Sequence, residues 1–213
     1  MASVVVVDYG AGNLRSVVNA LRHLGCGHTV SNDAARVLAA ERVIFPGVGG
    51  AASAMAAISA GGLGEALREV YRSGRPLLGI CLGSQIVFEH SEEGDTPCIG
   101  LLPGRVRLHP GRDAAGVRLK VPHMGWNAVR QLAEHPVFEG VPDRTAFYFV
   151  HSYFIDAARA EHVLATVDYG LTIPAVVGSG SFVATQFHLE KSGLPGLRML
   201  ANFLAWDGRF DRR

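Results

Sequence analysis

PLLGICLGSQ, residues 76–85, joins a buried strand, a cysteine and the start of a helix, and it governs how the rest of the chain folds. Its apolar residues form the short run typical of a strand buried in a parallel sheet. Cys81 lies between Gly79 and Gly83, and a helix is predicted over residues 84–89. Glycines at these positions let strand and helix backbones approach closely, as in a nucleophile elbow, and the N–H groups of a helix beginning there would favour a thiolate. The pattern makes Cys81 a candidate nucleophile; the alternative is a small buried cysteine between ordinary glycines.

The length and composition limit the class of protein. A chain of 213 residues suits a single domain, 1–213, large enough to bury a substantial core. Lys and Arg number 20 and Asp and Glu 19, so the net charge of +1 indicates neither a nucleic acid nor a membrane surface as a partner. The three cysteines, Cys26, Cys81 and Cys98, are too few for a disulfide framework and favour a reducing, cytoplasmic location. No clustered His, Cys or Asp residues have ligand spacing, so we expect no metal and no other cofactor.

Strands and helices alternate through the first half of the chain. The apolar patterns predict strands at 4–7, 28–30 and 42–45, and helices from 14 to 24, at 34–40 and at 63–72. The uncharged segment 43–64 is long enough to span a bilayer, but its glycines and its proline favour a strand, a loop and a small-residue helix. This alternation predicts an α/β fold with a doubly wound, mostly parallel sheet flanked by helices, and ligands at the carboxyl ends of the strands.

The second half has a different pattern. Short strands separated by turn residues are predicted at 105–108, 119–121, 128–130, 146–150, 153–156, 163–167 and 181–186, before a closing helix at 194–204. We interpret this half as an antiparallel β extension of the parallel sheet.

Two glycine-rich loops follow predicted strands. Gly10-x-Gly12 lacks the third glycine and the downstream acidic residue of a dinucleotide fingerprint, so a nucleotide site is disfavoured. Pro46-Gly-Val-Gly49 can present backbone N–H groups without obstruction by side chains, although a plain turn is the alternative.

A histidine and a carboxylate lie near the end of the last predicted strand. His188 and Glu190 are two residues apart, and in extended backbone such residues point to the same side. In a parallel sheet, the strands leading to Cys81 and His188 end at the same edge. A thiolate, a histidine acting as general acid and base, and an orienting carboxylate form a nucleophile triad. The alternative for this pair alone is a surface ion pair.

Together these segments resemble a known family. Gly79-Ile-Cys-Leu-Gly-Ser-Gln85 and Gln186-Phe-His-Leu-Glu-Lys-Ser192 resemble class I glutamine amidotransferases. Four further segments resemble the glutaminase subunits of imidazole glycerol phosphate synthase: Asp8-Tyr-Gly-Ala-Gly-Asn-Leu-Arg-Ser-Val17, Pro46-Gly-Val-Gly49, Pro122-His-Met-Gly-Trp-Asn127 and Tyr148-Phe-Val-His-Ser-Tyr153. The resemblance extends from the first strand to the closing helix. One departure is Leu189, where the family usually has proline; leucine keeps the spacing and is expected to do little harm.

The resemblance implies a role for each matched residue. Cys81 attacks the side-chain amide of glutamine, His188 transfers the proton, and Glu190 orients His188. The implied oxyanion donors are the backbone N–H of Leu82 and one from Gly47, Val48 or Gly49. The implied substrate-binding residues are Gln85, Ser152 and Tyr153.

The resemblance also implies a partner. Ammonia released from glutamine would pass to a cyclase subunit with a (β/α)8 barrel in a heterodimer that serves histidine biosynthesis. The residues expected nearest that partner are Asn13, Arg15, Trp126, Tyr148 and Lys191. The glycines of the 46–49 loop make an inactive arrangement easy to reach, so we expect the chain alone to be a poor glutaminase that its partner activates.

Other functions stay open at this point. One alternative is a class I glutaminase that serves a different acceptor, and a second is a non-catalytic regulatory module on the same fold. A cysteine peptidase or chaperone-like relative would not call for the segments at 122–127 and 148–153.

Overall fold

A computed structural model describes residues 3–10 and 14–210. The strands are β1 (Val4–Val7), β2 (His28–Ser31), β3 (Arg42–Gly47), β4 (Leu77–Cys81), β5 (His90–Ser91), β6 (Thr96–Pro97), β7 (Gly104–Leu108), β8 (His123–Gln131), β9 (Ala146–His151), β10 (Tyr153–Ala157), β11 (Val163–Asp168), β12 (Thr172–Ser179) and β13 (Phe182–Thr185). The α-helices are α1 (Leu14–His23), α2 (Ala34–Ala39), α3 (Ala51–Ala60), α4 (Leu63–Arg72), α5 (Leu82–Gln85) and α6 (Gly193–Ala205). Short 3-10 turns form at Pro136–Phe138, Ala160–His162 and Leu189–Lys191.

A nine-stranded sheet runs through the molecule in the order β2-β1-β3-β4-β13-β12-β11-β8-β9. The strands from β2 to β13 are parallel, and those from β12 to β9 continue the sheet in antiparallel pairs. The predicted α/β fold with an antiparallel extension is therefore confirmed.

The central strands are apolar on both sides because helices cover both faces of the sheet. In β1, Val4 and Val6 pack with residues of α1 and α6, whereas Val5 and Val7 pack with residues of α2, α3 and α4. The uncharged segment 43–64 becomes most of β3, the helix α3 and the turn after it, as expected. No helix within residues 3–10 and 14–210 is long and apolar enough to cross a membrane.

The parallel arrangement brings the predicted reactive residues to one edge. β4 lies between β3 and β13, with Gly47 opposite Cys81 and Ile80 opposite Thr185. The chain leaving β13 therefore reaches His188 beside the end of β4.

A second sheet, in the order β10-β7-β5-β6, packs against the first, and a single residue joins the two sheets between β9 and β10. β9 belongs to the large sheet and ends at His151, while β10 belongs to the small sheet and begins at Tyr153. Ser152 alone separates them. The chain thus changes sheets next to the carboxyl ends of the central strands.

Two local predictions are wrong, and one strand was missed. Residues 119–121 are not a strand, because the Leu119 N–H donates to the Gly111 carbonyl across a loop closed by the Arg112–Arg118 bridge. The strand β12, which contains Pro174, was not predicted. The helix predicted over 84–89 is instead the single turn α5, because the carbonyls of residues 86–88 accept hydrogen bonds from residues 99–102 rather than continuing a helix.

Candidate active site

Cys81 ends β4 in a strained backbone conformation. Its φ is 53° and its ψ is −112°, a region that residues with a side chain seldom adopt and that costs roughly 1–3 kcal/mol. Gly79 and Gly83 make the turn possible: a Cβ at Gly83 would lie 2.0 Å from the Phe45 carbonyl oxygen, and one at Gly79 would lie 2.7 Å from the Gly83 carbonyl oxygen. The turn is therefore a nucleophile elbow, as predicted. Because α5 has only one turn, it adds little of the helix N-terminal field that the sequence predicted at Cys81.

His188 is fixed at the backbone by its neighbours. Its N–H donates to the Tyr148 carbonyl (3.0 Å), and its own carbonyl accepts from the Ser192 hydroxyl (2.6 Å). The same hydroxyl accepts from the Tyr148 N–H (3.0 Å). Ser192 is fully buried and ties His188 to β9. Sequence reasoning gave Ser192 no role, although it stands in the same segment as the triad residues.

Glu190 orients the imidazole, but not through extended backbone. It lies in a 3-10 turn after His188, and its Oε1 is 2.7 Å from His188 Nδ1. The predicted strand geometry is wrong because β13 ends at Thr185, three residues before the histidine. The turn buries Leu189 in the core, so the leucine in place of proline is accommodated. The second carboxylate oxygen of Glu190 is buried without a hydrogen-bond partner.

The electrostatics favour a charged imidazole. Burial lowers the pKa of His188, but hydrogen bonds with Cys81 and Glu190, together with the negative charges of both groups, outweigh it and raise the pKa from 6.5 to about 10. Cys81 and His188 thus form a pair suited to nucleophilic attack followed by proton donation.

The predicted oxyanion residues surround Cys81. Val48, Gly49 and Leu82 line the same pocket as Cys81, and Gly47 pairs with it across the strands. Glycine fits at position 47, because a Cβ there would meet the Tyr9 hydroxyl and lie 2.9 Å from the Leu82 Cβ and 3.0 Å from the Gly83 nitrogen. That hydroxyl is buried without a partner. Which N–H groups receive the oxyanion stays a prediction.

The pocket beside Cys81 has a volume of about 340 Å³, which suits a small amino acid. The predicted residues Gln85, Ser152 and Tyr153 line it, as does Glu93, which sequence reasoning missed. Glu93 is half-buried, and one of its carboxylate oxygens accepts from the Ala51 N–H (2.8 Å). It comes from a turn far from the motifs, and no pattern there marks it.

Gln85 has little freedom. Its Nε2 donates both to the Tyr153 carbonyl and to Gln186 Oε1, each at 2.9 Å. Both amide hydrogens of Gln85 are thus used in hydrogen bonds within the protein. Its Oε1 stays available to accept a hydrogen bond from a ligand. Gln186 Nε2 makes a long contact of 4.0 Å with the Cys81 sulfur.

The fold brings most of the residues predicted to face a partner onto neighbouring elements, since the 3-10 turn that holds Lys191 contacts both α1 and β9. Trp126 on β8 and Tyr148 on β9 are opposite each other, with ring centroids 6.1 Å apart, and Lys191 is exposed at the pocket rim. Arg15 is exposed on α1, and Asn13 lies outside the described residues, as does part of the Gly10-x-Gly12 segment. Among the residues that the structure describes, no group of three or more His, Cys, Asp or Glu side chains is arranged to hold a metal.

The fold agrees with comparisons to known proteins. Residues 5–206 match the family model "Glutamine amidotransferase class-I". A crystal structure of a glutamine amidotransferase shares the fold with a TM-score of 0.70 and 21% identity, covering 94% of this chain and 97% of that one. PurLQS from Thermotoga maritima superposes with a TM-score of 0.72 and 16% identity, covering 96% and 99%. The chain belongs to the class I glutamine amidotransferase family.

The comparison with curated relatives defines the subfamily within this class. The chain is 51% identical to imidazole glycerol phosphate synthase subunit HisH 1 of Pseudomonas aeruginosa, covering 99% of this chain and all of the relative. It is 49% identical to subunit HisH of Chromobacterium violaceum, covering 96% and 98%, and 47% identical to that of Neisseria gonorrhoeae, covering 94% and 98%. Within its class, the chain thus falls among the HisH subunits.

Proposed function

We propose that this chain hydrolyses glutamine to glutamate and ammonia and supplies the ammonia to the cyclase subunit of an imidazole glycerol phosphate synthase, in histidine biosynthesis. The observation that carries the proposal is the Cys81 thiol on a strained elbow, in one pocket with His188, whose Nδ1 is 2.7 Å from Glu190. This arrangement performs acyl transfer from an amide.

The reaction follows from the geometry. The Cys81 thiolate attacks the side-chain carbonyl carbon of glutamine, and a C–S bond forms while the carbonyl oxygen becomes an oxyanion. The His188 imidazolium then protonates the departing nitrogen, the C–N bond breaks, and ammonia leaves a thioester on Cys81. His188, now neutral, removes a proton from water, which attacks the thioester to give glutamate and the thiol.

Two hydrogen-bond acceptors in the pocket suit the amino-acid part of glutamine. The half-buried carboxylate of Glu93 and the free Oε1 of Gln85 can both accept hydrogen bonds from an α-ammonium group. Ser152 and Tyr153 also line the pocket. We propose that these four residues hold the substrate, with the oxyanion received at Leu82 and the 47–49 loop.

An apolar face next to the pocket suits the partner subunit. Met124 and Trp126 are 55% and 58% exposed on β8, and they share this face of the sheet with Tyr148 and Val150 of β9. Val150 also lines the pocket, so a partner seated on this face would meet the place where ammonia is released. We propose a cyclase subunit with a (β/α)8 barrel as the occupant, with Arg15 and Asn13 as further contacts and a cytoplasmic location, where Cys81 stays reduced.

The test is a glutaminase assay with the chain alone, with the cyclase subunit, and with the cyclase subunit plus an acceptor analogue. We expect little activity alone and the highest activity with all components. Cys81→Ala should abolish glutamine hydrolysis while leaving ammonia-dependent synthesis by the complex intact. Glutamine hydrolysis by the Cys81→Ala variant would refute the mechanism, and equal rates in all three mixtures would refute activation by the partner.

A matched pair of variants tests the docking face. Trp126→Ala should weaken binding of the cyclase subunit by about ten-fold or more, because exposed aromatic residues dominate interfaces. Leu38→Ala removes an exposed apolar side chain from α2, which packs against α4 near the other edge of the sheet, and should leave binding unchanged. Equal affinities for both variants would place the partner elsewhere.

A further inference from the structure

Two buried histidines outside the triad are linked to the glutamine pocket by a continuous chain of hydrogen bonds. His123 begins β8 and His151 ends β9, directly opposite each other, and His123 Nδ1 is 3.0 Å from His151 Nε2. His151 Nδ1 is 2.8 Å from the Tyr153 carbonyl oxygen, which also accepts from Gln85 Nε2 at 2.9 Å. This series of hydrogen bonds therefore runs from β8, one strand of the apolar face proposed for the partner, to Gln85, the side chain proposed to contact the substrate.

The chemistry of the partners fixes the proton on each ring. A carbonyl oxygen only accepts, so His151 Nδ1 must carry a hydrogen. Burial lowers the pKa of both His123 and His151 from 6.5 to about 4, so both rings are neutral near pH 7 and His151 Nε2 must be an acceptor. His123 Nδ1 must then donate, which leaves its Nε2 to accept from the Asn127 amide nitrogen at 3.5 Å.

Packing holds the two rings in this orientation. The His123 ring is stacked between Tyr169, at a centroid distance of 4.0 Å, and Phe149, at 4.8 Å. His123 and His151 are 3% and 6% exposed. Neither ring can rotate without breaking these stacks or leaving a buried nitrogen unpaired, which carries its full desolvation penalty.

The Tyr153 carbonyl lies at the junction between the two sheets. The chain changes from the large sheet to the small sheet at Ser152, whose carbonyl accepts from the His109 N–H at 2.9 Å. The bond from His151 spans this break, from the last residue of β9 to the first residue of β10. With its two lone pairs occupied by His151 and Gln85, the carbonyl fixes which end of the Gln85 amide faces it.

We propose that His123 and His151 are positioning residues for glutamine binding: they hold the Tyr153 carbonyl so that it engages the Gln85 NH2 group and leaves the Gln85 oxygen for the substrate. This role rests on the proposed function, because it concerns affinity for glutamine. Neither histidine reacts with the substrate. Loss of the hydrogen bonds that link His123 and His151 to the Tyr153 carbonyl should raise the KM for glutamine more than it lowers kcat.

The activity test uses two substitutions at one position in the complex with the cyclase subunit. His123→Asn keeps a donor near the place of Nδ1, whereas His123→Leu has a similar size and no donor. We expect His123→Leu to raise the KM for glutamine by about ten-fold with kcat within about two-fold, as for the loss of one neutral hydrogen bond. His123→Asn should restore most of the affinity. His135→Leu, at a buried histidine in a different pocket, is the control and should leave KM unchanged.

A second measurement does not depend on activity. In the full chain labelled with ¹⁵N-histidine, both His123 and His151 should show the neutral form protonated at Nδ1. An Nε2-protonated or charged ring at either position would overturn the role of the two histidines, as would equal KM values for His123→Leu and wild type. If the wild-type complex does not hydrolyse glutamine at all, both the proposed function and the role of the two histidines are refuted. If the wild type is active and the His123 variants have unchanged kinetics, only the role of the two histidines is refuted.

Discussion

Replacing Glu190 by glutamine should slow glutamine hydrolysis without weakening glutamine binding. The carboxylate oxygen lies 2.7 Å from His188 Nδ1 and does not line the pocket. Glutamine keeps the size of the side chain and an oxygen that can accept the same hydrogen bond. The substitution therefore removes the negative charge and little else.

The size of the effect follows from the imidazole. The rise in the pKa of His188 from 6.5 to about 10 corresponds to roughly 5 kcal/mol in favour of the imidazolium. Cys81 and Glu190 both contribute to that rise, and a hydrogen bond to a charged group is worth about 1.5–3 kcal/mol, so we expect roughly 2 kcal/mol from Glu190. Loss of this stabilisation lowers kcat by about thirty-fold, since each 1.4 kcal/mol is about a factor of ten. Because Glu190 holds the pKa of His188 up, its loss should also lower that pKa.

The assay measures kcat and KM for glutamine in the complex and follows the His188 imidazole by NMR between about pH 5 and 11. The control is Glu65→Gln, which removes a carboxylate from the exposed salt bridges of α4. A Glu190→Gln variant with wild-type kcat, or with an increased KM and unchanged kcat, would refute the role of Glu190 as the group that stabilises the imidazolium.

Three further predictions concern stability and positioning. Gly83→Ala should prevent stable folding or distort the elbow, because its Cβ would lie 2.0 Å from the Phe45 carbonyl oxygen; a wild-type melting temperature and activity would contradict this. Ser192→Ala should cost about 1–3 kcal/mol in the free energy of unfolding and lower kcat, since it leaves a buried N–H without its acceptor and releases the His188 carbonyl; urea unfolding and kinetics with unchanged values would argue against it. Burial lowers the pKa of His135 from 6.5 to about 4. Below pH 6.5 the unfolded chain therefore binds a proton at His135 that the folded chain does not bind. The free energy of unfolding should fall as the pH drops towards 4, by up to about 3 kcal/mol. His135→Asn keeps an acceptor for the Val137 N–H without titrating, so its unfolding free energy should vary less between pH 6.5 and 4, and an unchanged pH dependence would count against the buried neutral histidine.

The candidate nucleophile and the fold class could be predicted from the sequence because both depend on local patterns. An apolar run ending in Gly-x-Cys-x-Gly specifies a buried strand and a sharp turn, since larger side chains at Gly79 and Gly83 would collide with backbone. Alternating apolar segments specify strands covered by helices on both faces. His188 and Glu190 were identified for the same reason, as neighbours in one short segment.

The surroundings of the triad were not readable, because they join residues far apart in the chain. Glu190 reaches His188 from a 3-10 turn rather than a strand, and the helix after Cys81 stops after one turn because residues 99–102 take the carbonyls that would continue it. Glu93 enters the pocket from a distant turn, and Ser192 matters only because β9 passes beside it. Local sequence specifies which groups carry the chemistry, whereas the packing of distant segments specifies what each group touches, and with it the charge on His188 and the orientation of Gln85.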